Sequence, residues 1–122
     1  MSSPYRIKRI YAPPSSEDGQ RVLVDRLWPR GISREKAELA LWLPEVAPSD
    51  ATRQKFAHRP ENWDWFQKRY CEELVENTPA IARLMEMAGA GPVTLLFAAR
   101  DEQLNNAVVL KEYLDQGREV LY

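Results

Sequence analysis

Val22-Leu23-Val24-Asp25-Arg26-Leu27-Trp28-Pro29-Arg30-Gly31 begins as a strand and ends as a loop. Its three leading residues are apolar and β-rich, the composition of a short strand buried on both faces. Asp25-Arg26 then breaks the run, and Pro29 and Gly31 stop regular structure soon after. A carboxylate, two guanidiniums and a tryptophan thus gather where a central strand hands over to a loop. In open α/β sheets, ligands bind at that end of the strands. Val93-Thr94-Leu95-Leu96-Phe97-Ala98-Ala99 repeats the pattern and leads into Arg100-Asp101. If the two strands are parallel neighbours, both Arg/Asp pairs converge on one crevice.

Working outward, residues 6–11 alternate loosely between charged and apolar and read as a first strand, ended by Pro13-Pro14. Residues 15–20 read as an exposed loop with an Asp18-Gly19 turn. Ser33 suits the cap of a short helical turn through Lys36, and residues 39–43 fit either strand or helix up to Pro44. Ser49 caps a short helix that carries Phe56 inward and stops near His58-Arg59-Pro60. A second helix over 61–76 puts Trp63, Phe66, Tyr70 and Leu74 on one face. Thr78-Pro79 starts a third helix, with Ile81, Leu84, Met85 and Ala88 inward. A last helix over 102–116 turns Leu104, Ala107, Val108 and Leu114 inward with Lys111 at the margin, and Gly117 stops it. Residues 118–122 then form a final edge strand. This order predicts a single α/β domain over 1–122, three layers thick, whose small, mostly parallel sheet is flanked by helices.

A chain of 122 residues suffices for one core and not for two. Its formal charge of −1 gives no general attraction to nucleic acid or anionic membrane, so an anion site must be local. No apolar run approaches the roughly 18 residues that span a bilayer, and the N-terminus lacks the apolar segment of a signal peptide. A single cysteine forms no internal disulfide, and no Cys/His cluster has metal-ligand spacing. These features predict a cytoplasmic protein without a metal or membrane anchor.

The block Val24-Asp25-Arg26-Leu27-Trp28-Pro29-Arg30-Gly31 has companions along the chain. They are Trp42, Ala47-Pro48-Ser49, Phe56 with His58, Phe66, Arg69-Tyr70, Glu73-Leu74, Thr94-Leu95-Leu96, Ala99-Arg100-Asp101 and Asn106-Ala107. Together these residues resemble the DUF488 family in its YeaO-like branch, over residues 6–114. The resemblance implies a small bacterial α/β protein and marks the same arginine-bearing loop. It implies no particular activity. Many members read Asn-His-Ala where this chain reads Asn105-Asn106-Ala107, so a mechanism needing that imidazole is not available here. No glycine-rich cofactor loop follows the first strand, and no cofactor is expected.

Two guanidiniums at Arg26 and Arg30 suit bidentate contact with a phosphate or carboxylate, with Asp25 orienting one of them or acting as a base. The bland alternative is an Asp–Arg pair that pins the loop. Trp28 is either a stacking platform or a loop anchor. Arg100 repeats the strand-end logic, whereas Asp101 suits the N-cap of the last helix. Asn105 and Asn106 fall in the first turns of that helix, near a terminus that attracts anions, with an exposed polar face as the alternative. His58, the lone histidine, is the default acid or base, and a helix C-cap is its bland alternative. Tyr70 falls on an inward stripe and reads as core. Cys71 has no neighbouring histidine in sequence. The expected partner is a small anionic ligand, with either an enzyme or a non-catalytic nucleotide or nucleic-acid binder behind it. An oligomeric interaction domain is the third class, and nucleic acid is disfavoured by the lack of a basic run.

Overall fold

β1 (Tyr5–Arg9), β2 (Gln20–Leu23), β3 (Leu41–Trp42) and β4 (Val93–Phe97) form one parallel sheet in the computed structural model, in the order β1-β4-β2-β3. The structure describes residues 3–120, with side chains through residue 117. All five residues of β4 are buried, as a central parallel strand requires. It pairs with β1 on one side and β2 on the other, Leu95 standing opposite both Ile7 and Val22. The two strands that carry the Arg/Asp pairs are therefore parallel neighbours, as the sequence required for a shared crevice.

The helices are α1 (Arg34–Ala37), α2 (Asp50–Phe56), α3 (Trp63–Glu76), α4 (Thr78–Ala90) and α5 (Asn106–Val120). Strand residues alternate between two faces. Tyr5, Val22, Val24, Val93, Leu95 and Phe97 join the main core with Phe66, Tyr70, Leu84 and Leu110 from α3, α4 and α5. Leu23, Leu96 and Ile10 face the other way, under Trp28, Ile32, Leu39 and Trp42. The third layer is thus a loop with the single turn α1, rather than a row of helices. Ser33 and Ser49 cap α1 and α2 as expected, accepting from the N–H groups of Lys36 and Thr52.

Several local expectations are corrected. Asp18 is buried rather than exposed, because Arg21 and Lys8 reach it at 2.6 and 3.1 Å. Gly19 beside it, at φ 64°, brings the chain so close to β4 that a Cβ there would lie 2.5 Å from the Pro92 carbonyl oxygen. The last helix starts at Asn106, not 102. Asp101 instead folds a preceding turn by accepting from the Gln103 and Leu104 N–H groups, and Asn105 Oδ1 receives the Val108 N–H that begins the helix. Packed on the sheet, this helix buries Val109 and Leu110 beside Ala107 and Leu114, while Val108 and Lys111 are only half-buried. At the other end α5 continues through Gly117, and residues 118–120 are helical rather than an edge strand. A helical glycine costs about 1 kcal/mol, too little to stop a helix anchored by buried Leu110 and Leu114. Residues 121–122 of that expected strand lie outside the described residues. In α4, Met85 faces solvent, and Ala80 takes a buried place beside Leu84. Among the described residues, no helix is long and apolar enough to cross a membrane.

Candidate functional site

A cleft of about 370 Å³ opens at the C-terminal ends of β2 and β4. Its floor follows from how the chain leaves β2. Val24 still donates to the Leu96 carbonyl, and Asp25 then reaches across to β4, its Oδ2 accepting from the Ala98 N–H at 2.9 Å. Asn106 Nδ2 donates to the other oxygen of Asp25 at 3.1 Å and to the Val24 carbonyl at 3.2 Å. One amide thereby ties the loop, the sheet and the start of α5 together. Burial pushes the Asp25 carboxyl above its ordinary value, and it outweighs the hydrogen bonds from Ala98 and Asn106 and the electrostatic pull of the groups nearby, Arg53 among them.

The rim is cationic. Arg26 is half-buried, and its terminal nitrogen donates to the carbonyls of Ala47 and Pro48 at 3.3 and 3.4 Å. Its Nε has no hydrogen-bond partner among the described residues and lies 3.7 Å from Asp50 Oδ1, which also faces Arg53 at 3.5 Å. Arg53 joins the lining from α2. That helix is held by Glu73 of α3, which accepts from the Ser49 N–H at 2.8 Å, the Ser49 hydroxyl at 2.9 Å and the Thr52 hydroxyl. Burial opposes ionisation of Glu73, but these donors and Arg69 prevail and hold its carboxyl below the ordinary glutamate value. Arg30 is exposed. Tyr11 Oη fixes its backbone carbonyl at 2.8 Å, and its guanidinium has no hydrogen bond or ion pair among the described residues.

Trp28 lines the cleft and is a loop anchor rather than a free platform. Its Nε1 donates to the Ile32 carbonyl at 2.7 Å, the Trp42 ring meets it edge-on at 5.4 Å, and the Arg34 guanidinium covers its face at 4.7 Å. His58 lies on the lining but is exposed. Ala57, not His58, caps α2. Both residues take left-handed backbone angles, φ 48° and 56°, an uncommon state for non-glycine residues. Asn105 is buried and lines the cleft while donating to the Asp101 carbonyl.

The structure does not bring Arg100 into the site. Arg100 and Asp101 are exposed and absent from the lining, where the end of β4 contributes Ala98 and Ala99 instead. Tyr70 is core, donating its hydroxyl to the Val46 carbonyl at 2.6 Å. Cys71 is half-buried off the cleft, and burial and the Glu112 charge push its thiol up. Arg53 and Tyr11 also line the cleft, and no local sequence pattern points to either as a site residue. The Asp50–Arg53 spacing marks a helical pair, but only the fold shows that it faces Arg26.

A family model described as "Inactive DUF488-N3 subclade" matches residues 4–120. The chain belongs to the DUF488 family. Uncharacterized protein Rv3073c of Mycobacterium tuberculosis (strain ATCC 25618 / H37Rv) is 40% identical over 110 residues, 90% of this chain and 92% of its own. Uncharacterized protein YeaO of Escherichia coli (strain K12) is 38% identical over 107 residues, 88% of this chain and 93% of its own. No solved structure gives a significant match. For this DUF488 chain the matched region includes every residue of the cleft.

Proposed function

We propose that this DUF488 protein binds a small anionic ligand in the cleft and holds it without acid–base chemistry at Asp25. The observation that carries the reading is the convergence of Arg26, Arg30 and Arg53 on one cavity, in a chain whose net charge is −1. Guanidiniums present planar forks that match phosphate and carboxylate oxygens. Asp50 satisfies Arg26 and Arg53 only at 3.7 and 3.5 Å, so a ligand oxygen at true hydrogen-bond distance is the better partner. The non-catalytic half rests on Asn106. An amide neither gives nor takes a proton near neutral pH, so Asn106 orients the half-buried Asp25 carboxylate without exchanging a proton with it. The description of the matching family model as inactive agrees with this. A cytoplasmic location belongs to the same proposal.

A thermal-shift screen against phosphate, small carboxylates, sugar phosphates and nucleotides tests it. A ligand at a hundred times its dissociation constant stabilises the fold by about 2.7 kcal/mol. A shift that disappears in Arg26→Ala and Arg30→Ala supports the reading. No shift with any of these anions removes it.

A further inference from the structure

We propose, resting on the anion-binding reading, that the ligand is a phosphorylated pentose that sets its hydroxyls on Asp25 and its phosphate among Arg26, Arg30 and Arg53. The site is polar in one direction. At the floor, each Asp25 oxygen accepts one protein hydrogen bond, from Asn106 Nδ2 at 3.1 Å and from the Ala98 N–H at 2.9 Å. A carboxylate has about four lone-pair sites, so two acceptor positions remain on a group that lines the cavity. Any ligand that fills the cleft strips water from those positions. It must return donors, or leave a desolvated charge unpaired.

A phosphate cannot be that end, because two anions would meet at the floor. The rim, where Arg30 is exposed and has no ion pair among the described residues and Arg26 and Arg53 share one carboxylate, takes the phosphate. An ammonium group would satisfy Asp25, but it would enter beside Arg26, Arg53 and His58, which line the same space. Neutral hydroxyls supply donors without adding charge, and a vicinal pair supplies two at once. Phe56, Phe66 and Pro48 give an apolar wall for the carbon skeleton. At about 370 Å³ the cavity lies near the small end of ligand sites, which run from roughly 300 to 1,000 Å³.

Calorimetry on the full chain with five probes tests the assignment: inorganic phosphate, ribose 5-phosphate, 2-deoxyribose 5-phosphate, phosphoethanolamine and AMP. Ribose 5-phosphate is expected to bind about tenfold or more tightly than inorganic phosphate and phosphoethanolamine, the gain from one hydrogen bond to a charged group. The 2-deoxy sugar loses part of that gain. In Asp25→Asn the advantage of the ribose collapses, while inorganic phosphate binds more tightly because a negative charge has left the floor. AMP binding with the same hydroxyl dependence identifies a nucleotide-borne pentose, and ribose 5-phosphate binding without AMP identifies the free sugar phosphate. Equal affinity for phosphate and ribose 5-phosphate, both lost in Arg26→Ala, overturns the pentose assignment and leaves the anion site standing. An undiminished ribose advantage in Asp25→Asn also overturns it. Failure of every probe to bind overturns both. Should Asp25→Asn not fold, the comparison of ribose with 2-deoxyribose on the native chain decides.

Discussion

Replacing Arg30 by alanine separates ligand binding from folding more cleanly than any other change in the cleft. The Arg30 side chain is exposed, and what holds its loop is the backbone carbonyl, which accepts from Tyr11 and survives the substitution. Buried Pro29 and Gly31, at φ 77°, shape the loop on either side without help from the guanidinium. A surface substitution of this kind changes stability by no more than about 0.5 kcal/mol. Binding is another matter. A hydrogen bond to a charged group is worth about 1.5–3 kcal/mol, which corresponds to roughly 10- to 150-fold in affinity. Solvent exposure of Arg30 places it at the low end, about tenfold, with the loss shrinking as salt screens the charge. Urea unfolding followed by tryptophan fluorescence and calorimetry with ribose 5-phosphate at low ionic strength read the two quantities separately. An affinity within about twofold of the native protein would refute the role given to Arg30, since it is less than the weakest such bond. A stability loss above about 1 kcal/mol would refute the claim that its side chain is structurally idle.

Three further changes probe the scaffold. Asp18→Asn leaves Arg21, 4% exposed, and Lys8 without the negative charge that they share at 2.6 and 3.1 Å. Because the pair lies beneath a single turn rather than deep in the core, the expected cost is about 3 kcal/mol in urea unfolding, at the low end for a broken buried pair. A loss below about 1 kcal/mol would show that water reaches Arg21 freely. Tyr70→Phe removes the hydroxyl from the buried Val46 carbonyl, and a loss of about 1–2 kcal/mol is expected. No change there would mean that the carbonyl finds another donor. Acid stability follows from the carboxyls. Glu73 and Asp18 are held below their ordinary values of 4.5 and 3.8, so the stability they contribute is present above those values and drains away as pH falls through the folded-state values. Asp25 is raised, so its contribution runs oppositely, being complete below 3.8 and lost as pH rises through its folded value. Glu73→Gln should therefore flatten the acid limb of a stability–pH curve, and an unchanged limb would remove Glu73 from that account.

The strand-to-loop stretch at residues 22–31 was legible because two local rules agree there. A β-rich apolar run names the strand, and Pro29 and Gly31 name the loop. That β2 and β4 are parallel neighbours supports the inference of a crevice at their ends. Its contents were only partly legible. Arg26, Arg30 and Asn106 line it because they sit on or beside the segments that leave β2 and β4, and His58 lines it from the end of α2. Arg100 does not, because Asp101 folds its own turn before α5 begins, and the pair stays in solvent. Arg53 was invisible for the opposite reason. Its place depends on Glu73 holding the start of α2 from another helix, a contact across more than 20 positions that no local pattern encodes. The last helix shows the same limit, since a cap at Asn105 and one at Asp101 fit the residues equally well, and only packing on the sheet selects the rotation that buries Val109 and Leu110.

Titration of the uniformly ¹⁵N-labelled chain with ribose 5-phosphate, followed by backbone amide and arginine Nε–H resonances, tests the central claim most directly. The account predicts saturable shifts confined to residues 25–30 and 98–99 and to the side chains of Arg26, Arg30 and Arg53, with Arg100 unmoved. Shifts clustered at Arg100 or on another face, or no shifts at millimolar phosphate ester, would contradict it.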